Sequence, residues 1–198
     1  MRPITAVPRV GRWRSEPPAS APRTWTQWLR RGGSLTRALQ TLGKVEVQVN
    51  FEGIVCQRAG EMGLRNEHIV ARSSAYRPAE HGSPVWVRDI TLTVDAAAVV
   101  AERSIVSARD SRASWKSLRT LAARPLGSLL YNDPAISRSR FAYASFPLAA
   151  TPFVDREFVD ANQCGRAWAR VSEFRREQAP LVLTEIFLPA LWSMINQK

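Results

Sequence analysis

Residues 181–188 read LVLTEIFL, and the fold turns on how that octet alternates. Successive side chains of a strand point to opposite sides, so Leu181, Leu183, Glu185 and Phe187 share one face. A second stretch, WVRDITLTV at 86–94, puts Trp86, Arg88, Ile90, Leu92 and Val94 on one face in the same way. Each strand therefore carries a single charge on an otherwise apolar side. If those sides look into the core, Glu185 and Arg88 are buried ionisable groups. Isolated burial costs on the order of several kcal/mol, so such groups normally have a partner or a chemical task. Two plainer readings stay open on pattern alone: Arg88 can snorkel along an edge to water, or Arg88 and Glu185 can form a structural ion pair.

Working outward, more strands follow from the same period of two. Val45, Val47, Val49 and Phe51 alternate with Glu46, Gln48 and Asn50, and Glu52-Gly53 is a place for a bend before Ile54 and Val55. Further strands are expected at 85–94, 99–106, 141–146 and 168–174. Helical spacing appears in two groups. Thr24 is a candidate N-cap for a short helix carrying Trp25, Trp28 and Leu29, closed by Gly32-Gly33. Ser34 is a candidate cap for a second, with Leu35, Leu39 and Leu42, stopped by Gly43. Residues 112–122 read as a helix through Trp115, Leu118 and Leu121, and Pro125 opens another through Leu129 and Leu130. Strands in runs with helices grouped between them predict an α+β fold on an antiparallel sheet.

The 198 residues suit one domain. Residues 1–23 are rich in proline and arginine and poor in large apolar residues except Trp13. They are expected to form a basic tail or an arm laid on the body, with residues 24–198 as the single domain. No apolar run reaches the roughly 18 residues of a membrane span, and no apolar core follows the N-terminal arginines as in a secretory signal. A cytoplasmic protein is expected. Two cysteines, Cys56 and Cys164, and two histidines, His68 and His81, are too few for a disulfide framework or a His-based metal cluster. The formal charge of +11 comes from 28 Lys and Arg against 17 Asp and Glu. The arginines are dispersed and form no nucleic-acid motif, so a field that attracts a small dianion is the preferred reading over nucleic-acid binding.

Two helix starts, Ser34-Leu35-Thr36 and Arg124-Pro125-Leu126-Gly127, expose backbone N–H groups suited to an anion. Every helix has such a start, so on their own they identify no ligand.

Four blocks supply the link. TLGKVEVQV, VRDITL, ARPLGSLLY and above all LVLTEIFLPA, in this order and spacing, resemble the chorismate lyase family over about Trp25 to Ala190. The resemblance implies an antiparallel sheet with helical flaps over an internal ligand cavity. It also implies elimination of pyruvate from chorismate to give 4-hydroxybenzoate, a ubiquinone precursor, with no metal and no cofactor. The family's ligand-contacting arginine and glutamate fall on Arg88 and Glu185, and the leucine of its RPLG block on Leu126. Leu35 stands where the family often has methionine, a mild change if the contact is made by backbone. At 95–102, DAAAVVAE replaces the family's Gly-containing turn followed by Pro-Trp, which bears on the hairpin and on the wall beside Arg103.

On that resemblance Arg88 and Glu185 are the expected catalytic residues, and Leu35, Arg88, Leu126 and Glu185 the substrate-binding ones. Arg88 would meet the charge developing on the departing enolate, or a substrate carboxylate, through its planar fork. Glu185 would stand at the 4-hydroxyl end, where apolar neighbours suit a group that accepts or relays a proton. The N–H groups near Leu35 and Leu126 would hold the ring carboxylate. The reverse orientation is also chemically reasonable. The expected partners are small molecules only, substrate and product, and the expected state is a monomer. The rival reading is a non-catalytic sensor of small aromatic acids, since effector domains of some bacterial regulators share the fold.

Overall fold

The computed structural model describes residues 13–19, 21–56, 83–147 and 166–196. Residues 1–12 of the expected tail, together with His68, His81 and Cys164, lie outside the described residues. The strands are β1 (Val45–Cys56), β2 (Pro84–Val94), β3 (Ala97–Ser107), β4 (Ile136–Arg138), β5 (Ala142–Pro147), β6 (Arg166–Arg176) and β7 (Ala179–Phe187). They form an antiparallel sheet in the order β1-β2-β3-β7-β6-β4, with β5 also paired to β6. The helices are α1 (Arg23–Arg30), α2 (Leu35–Leu39), α3 (Gly127–Asn132) and α4 (Pro189–Asn196). The α+β architecture expected from the sequence is the one observed.

The two apolar faces read from the sequence do look inward. Ile90, Leu92, Val94, Val100, Trp168 and Phe187 pack with Leu29, Leu35 and Leu39 of the first two helices and with Leu191 and Trp192 of α4. Farther along the same face, Trp86, Val106, Phe174, Leu181 and Leu183 pack with Trp115, Leu118, Leu121, Leu126 and Leu130. The helices are too short to persist alone. Burying leucines such as Leu29 and Leu39, about 2 kcal/mol each, holds them to the sheet. Residues 23–42 and 108–132 are thus two flaps, each anchored by its own apolar cluster and separated on the sheet by a polar stripe. The Trp25 and Trp192 rings, stacked 4.4 Å apart, lock α1 to α4.

Several details depart from expectation. The first helix begins at Arg23 with Pro22 at its cap rather than Thr24. Upstream of it, Trp13 is buried against Ala101, Ala142 and Ala169, and Arg14 bridges Tyr143, so part of the arm is docked. The expected helix at 112–122 resolves into two 3₁₀ turns, Asp110–Arg112 and Lys116–Thr120. The run is broken at Ala113, whose φ of -112° and ψ of -109° leave the helical region, and Ser111 and Thr120 each donate to the carbonyl three residues back, of Ala108 and Ser117. Trp115 donates its indole N–H to the Ala179 carbonyl at 3.1 Å, fixing the turn to β7.

The bend expected at Glu52-Gly53 is a register shift between Val49 and Phe51 instead. An extra residue resets the parity of a strand. Val49 faces Ile90, but Phe51 lies opposite Asp89, and Glu52 is turned onto the face of Arg88. The 95–102 segment keeps a tight hairpin, with Asp95 and Ala96 both at positive φ (48° and 68°). Arg103 does not border the inner face. It lies on the opposite side of β3, gripping Asp89 through Nε and Nη2 at 2.7 and 2.6 Å. The short strand β4 and helix α4 were not expected. Pro189 occupies the first turn of α4, where a missing N–H costs nothing.

Candidate active site

Directly opposed residues on neighbouring strands point to the same side. The register therefore lines up Ile90, Glu102, Glu185, Arg170 and Tyr143 across five strands on the inner face. The adjacent row on that face carries Arg88, Ser104, Leu183 and Ser172. These two rows are the polar stripe between the flap clusters. Arg88 and Arg170 are 1% exposed, Glu185 3% and Glu102 6%.

Glu185 is bound by Arg170, not by Arg88. Arg170 donates from Nε to Oε2 at 2.5 Å and from Nη2 to Oε1 at 2.7 Å, the bidentate geometry that the planar fork favours. Its Nη1 donates to the Leu29 and Arg31 carbonyls at 3.1 and 2.7 Å. The guanidinium lies 4.3 Å from the Phe141 ring centroid. Burial opposes the charge on Arg170, yet Glu185 outweighs it and holds its pKa above the ordinary value.

Arg88 does the corresponding work on the other flap. Its Nη2 donates to the Ala122 carbonyl at 2.5 Å and the Arg124 carbonyl at 3.3 Å. Its Nε lies 3.3 Å from Glu52 Oε2. That approach is an ion pair without hydrogen-bond alignment, so the Nε–H has no aligned acceptor among the described residues. Burial lowers the arginine's pKa, against the pull of Glu52 and Glu102. Each flap is therefore tied through its backbone carbonyls to one buried arginine of the sheet.

Glu102 completes the floor. No hydrogen bond links its carboxyl to the described residues. Burial first, and then the neighbouring Glu185, push it up to about 8 despite Arg170 and Arg88. Ser172 Oγ, fully buried on the adjacent row, also has no partner among the described residues. At the rim, Tyr131 of α3 meets Phe174 edge-on at 5.8 Å, and burial and then Glu185 raise its phenol.

Leu35 and Leu126, the other two expected residues, lie in the two apolar clusters at the starts of α2 and α3. These starts meet. A Cβ added to Gly127 would stand 2.6 Å from Ser34 Oγ, so only glycine permits this approach. Ser34 caps α2 as expected, its Oγ accepting from the Arg37 N–H at 3.3 Å. The structure thus brings all four expected residues around one stripe and adds Glu52, Glu102, Arg170 and Ser172. Glu102 and Arg170 obey the same parity argument that found Arg88 and Glu185, since they alternate with Val100, Ser104 and Val106 and with Trp168, Ser172 and Phe174. Glu52 does not, because the register shift hides it. Among the described residues, no three His, Cys, Asp or Glu side chains gather to hold a metal ion. None of the described helices is long and apolar enough to cross a membrane.

The geometry agrees with the comparisons. The family model for chorismate lyase matches residues 9–197. A protein of Bordetella avium named probable chorismate pyruvate-lyase is 37% identical over 96% of this chain and 89% of its own length. One of the same name from Bordetella pertussis is 34% identical over 96% of this chain and 95% of its own. A solved gene product of Staphylococcus aureus shares the fold with a TM-score of 0.50 at 7% identity, covering 79% of this chain and 88% of that one. The paired charges on the sheet floor, the two flaps and a family match over nearly the whole length lead to one assignment: this chain belongs to the chorismate lyase family.

Proposed function

We propose that this chain is a chorismate pyruvate-lyase, which eliminates pyruvate from chorismate to leave 4-hydroxybenzoate, with no metal and no cofactor. The reading extends to a cytoplasmic monomer that supplies the ring precursor of ubiquinone, with residues 24–198 as the catalytic domain and 1–23 as its basic arm. The observation that carries it is the buried stripe of Arg88, Glu102, Arg170 and Glu185 beneath two flaps, in a chain whose relatives bear the lyase name over nearly their full length. That agreement favours the lyase over a sensor of the same fold.

In the reaction the ring hydrogen beside the 4-hydroxyl leaves as a proton. The ether carbon–oxygen bond breaks with its electron pair going to the enolpyruvyl oxygen. The ring becomes aromatic, and the protonated enol becomes pyruvate. Because aromatisation drives the step downhill, orientation and charge stabilisation are the protein's main tasks. Arg88 keeps Nε–H and Nη1–H groups beyond those given to the flap carbonyls, and these meet the charge growing on the enolate or a carboxylate beside it. Glu185, held in one orientation by Arg170, stands at the 4-hydroxyl end and accepts the ring proton beside that hydroxyl, and one proton is returned to the enolpyruvate methylene carbon as it becomes the methyl group of pyruvate. The backbone N–H groups at the starts of α2 and α3, near Leu35 and Leu126, take the ring carboxylate. Flap opening then releases the product.

The test is ultraviolet detection of 4-hydroxybenzoate from chorismate and purified protein with EDTA present. Sustained product formation supports the reading. Well-folded protein that forms none contradicts it.

A further inference from the structure

Among the described residues, Glu102 has no cation paired to its carboxyl, and Arg170 and Arg88 act on it only from a distance. Arg170 spends two donors on both oxygens of Glu185 and a third nitrogen on flap carbonyls. Arg88 spends Nη2 on the other flap and faces Glu52. Glu102 is the direct cross-strand neighbour of Glu185, which puts their Cβ atoms about 5 Å apart. Ile90 flanks it on the other side. Two ionised carboxylates side by side in a buried, low-dielectric stripe repel strongly, and the one with the poorer cation takes the proton. Arg170 is committed to Glu185, so Glu102 is the one that holds the proton.

Such a pair fits one chemical group well. A hydroxyl donates one hydrogen bond and accepts others. An ionised carboxyl beside a protonated one offers it an acceptor and a donor together. We propose that Glu102 is a further ligand-contacting residue of this site, a neutral carboxylic acid that donates its hydrogen bond to the ligand's ring hydroxyl oxygen while Glu185 accepts from that hydroxyl. This makes Glu102 a specificity-determining residue for ring acids bearing a 4-hydroxyl, and it rests on the lyase reading for the identity of the ligand. Burial and Glu185 raise the Glu102 carboxyl to about 8, which keeps the donor in place at neutral pH. The other titratable groups whose charge bears on the pair are Arg88, Arg170 and, from α3, Tyr131.

The test compares wild type with Glu102→Gln, which keeps an N–H donor and cannot ionise, and with Glu102→Leu, which removes the donor. Binding of 4-hydroxybenzoate and of benzoate is measured by calorimetry from pH 6 to pH 9. At pH 6 wild type and Glu102→Gln prefer 4-hydroxybenzoate, and Glu102→Leu loses at least about tenfold of that preference, the usual size for an orphaned hydroxyl. As pH rises, wild-type affinity for 4-hydroxybenzoate falls relative to that of Glu102→Gln, a ratio from which the ligand's own ionisation cancels. An unchanged preference in Glu102→Leu, or a constant ratio across the range, overturns the proposal. Binding with this pattern but without turnover of chorismate would remove the lyase reading and leave the role of Glu102 standing. No binding of 4-hydroxybenzoate by any of the three proteins overturns the role of Glu102, and turnover of chorismate, assayed in the same samples, decides the lyase reading separately.

Discussion

Arg170 grips both oxygens of Glu185 from the neighbouring strand, at 2.5 and 2.7 Å, and with its remaining nitrogen holds the flap that carries Leu29. Removing the arginine leaves a buried carboxylate uncompensated, a change that costs roughly 3–5 kcal/mol in comparable pairs. Arg170→Met is therefore expected to lose about that much stability in denaturant titrations, along with activity. Adding Glu185→Leu to it restores much of the stability but none of the activity, which separates the structural cost of the pair from its chemical use.

This pair also shows how far the sequence carries. Alternation in 86–94 and 181–188 located Arg88 and Glu185, because each is a lone charge among large apolar residues. Glu102 and Arg170 obey the same parity, yet Ser104 and Ser172 dilute the apolar face of their strands and weaken the signal. Glu52 was hidden for a different reason: a register shift at Asn50 turns it inward, and no local pattern announces such a shift. The meeting of Ser34 with Gly127 joins residues 93 positions apart in sequence, so only the folded chain reveals it.

That contact gives a second prediction. Gly127→Ala would drive a methyl group onto Ser34 Oγ and push the two helix starts apart. Overpacking of this kind costs about 1–3 kcal/mol. We expect a raised KM for chorismate and a lowered melting temperature, with Ser34→Gly in the same chain recovering part of the KM, as steady-state kinetics would show.

The hairpin at 95–96 gives a third. Ala96 sits at φ 68°, a left-handed conformation that costs a non-glycine residue about 1 kcal/mol. Asp95 ties the turn to the start of β1 by accepting from the Lys44 N–H at 2.9 Å. This turn follows Val94, beyond Leu92 from the Ile90 row, so a change confined to Ala96 is expected to act on stability rather than on substrate fit. Ala96→Gly is expected to stabilise the fold by up to about 1 kcal/mol and leave kcat/KM unchanged.

Glu102 sets a pH dependence of folding. Its carboxyl titrates at an ordinary value of 4.5 when unfolded and is raised to about 8 when folded. The folded chain thus binds more protons, and stability falls as pH rises. The favourable contribution is complete below about 4.5 and is lost as pH climbs through about 8. Glu102→Gln cannot release a proton, so its stability relative to wild type should rise across that window. Urea midpoints measured from pH 5 to pH 9 give the comparison.

The central claim is that the sheet floor under the two flaps is the site of chorismate cleavage, and release of 4-hydroxybenzoate by Glu185→Ala and Arg88→Ala beside wild type, in EDTA, tests it most directly. The account predicts product from wild type and a loss of at least about 100-fold in both variants, with circular dichroism confirming that each is folded. Wild-type rates in either folded variant would contradict it.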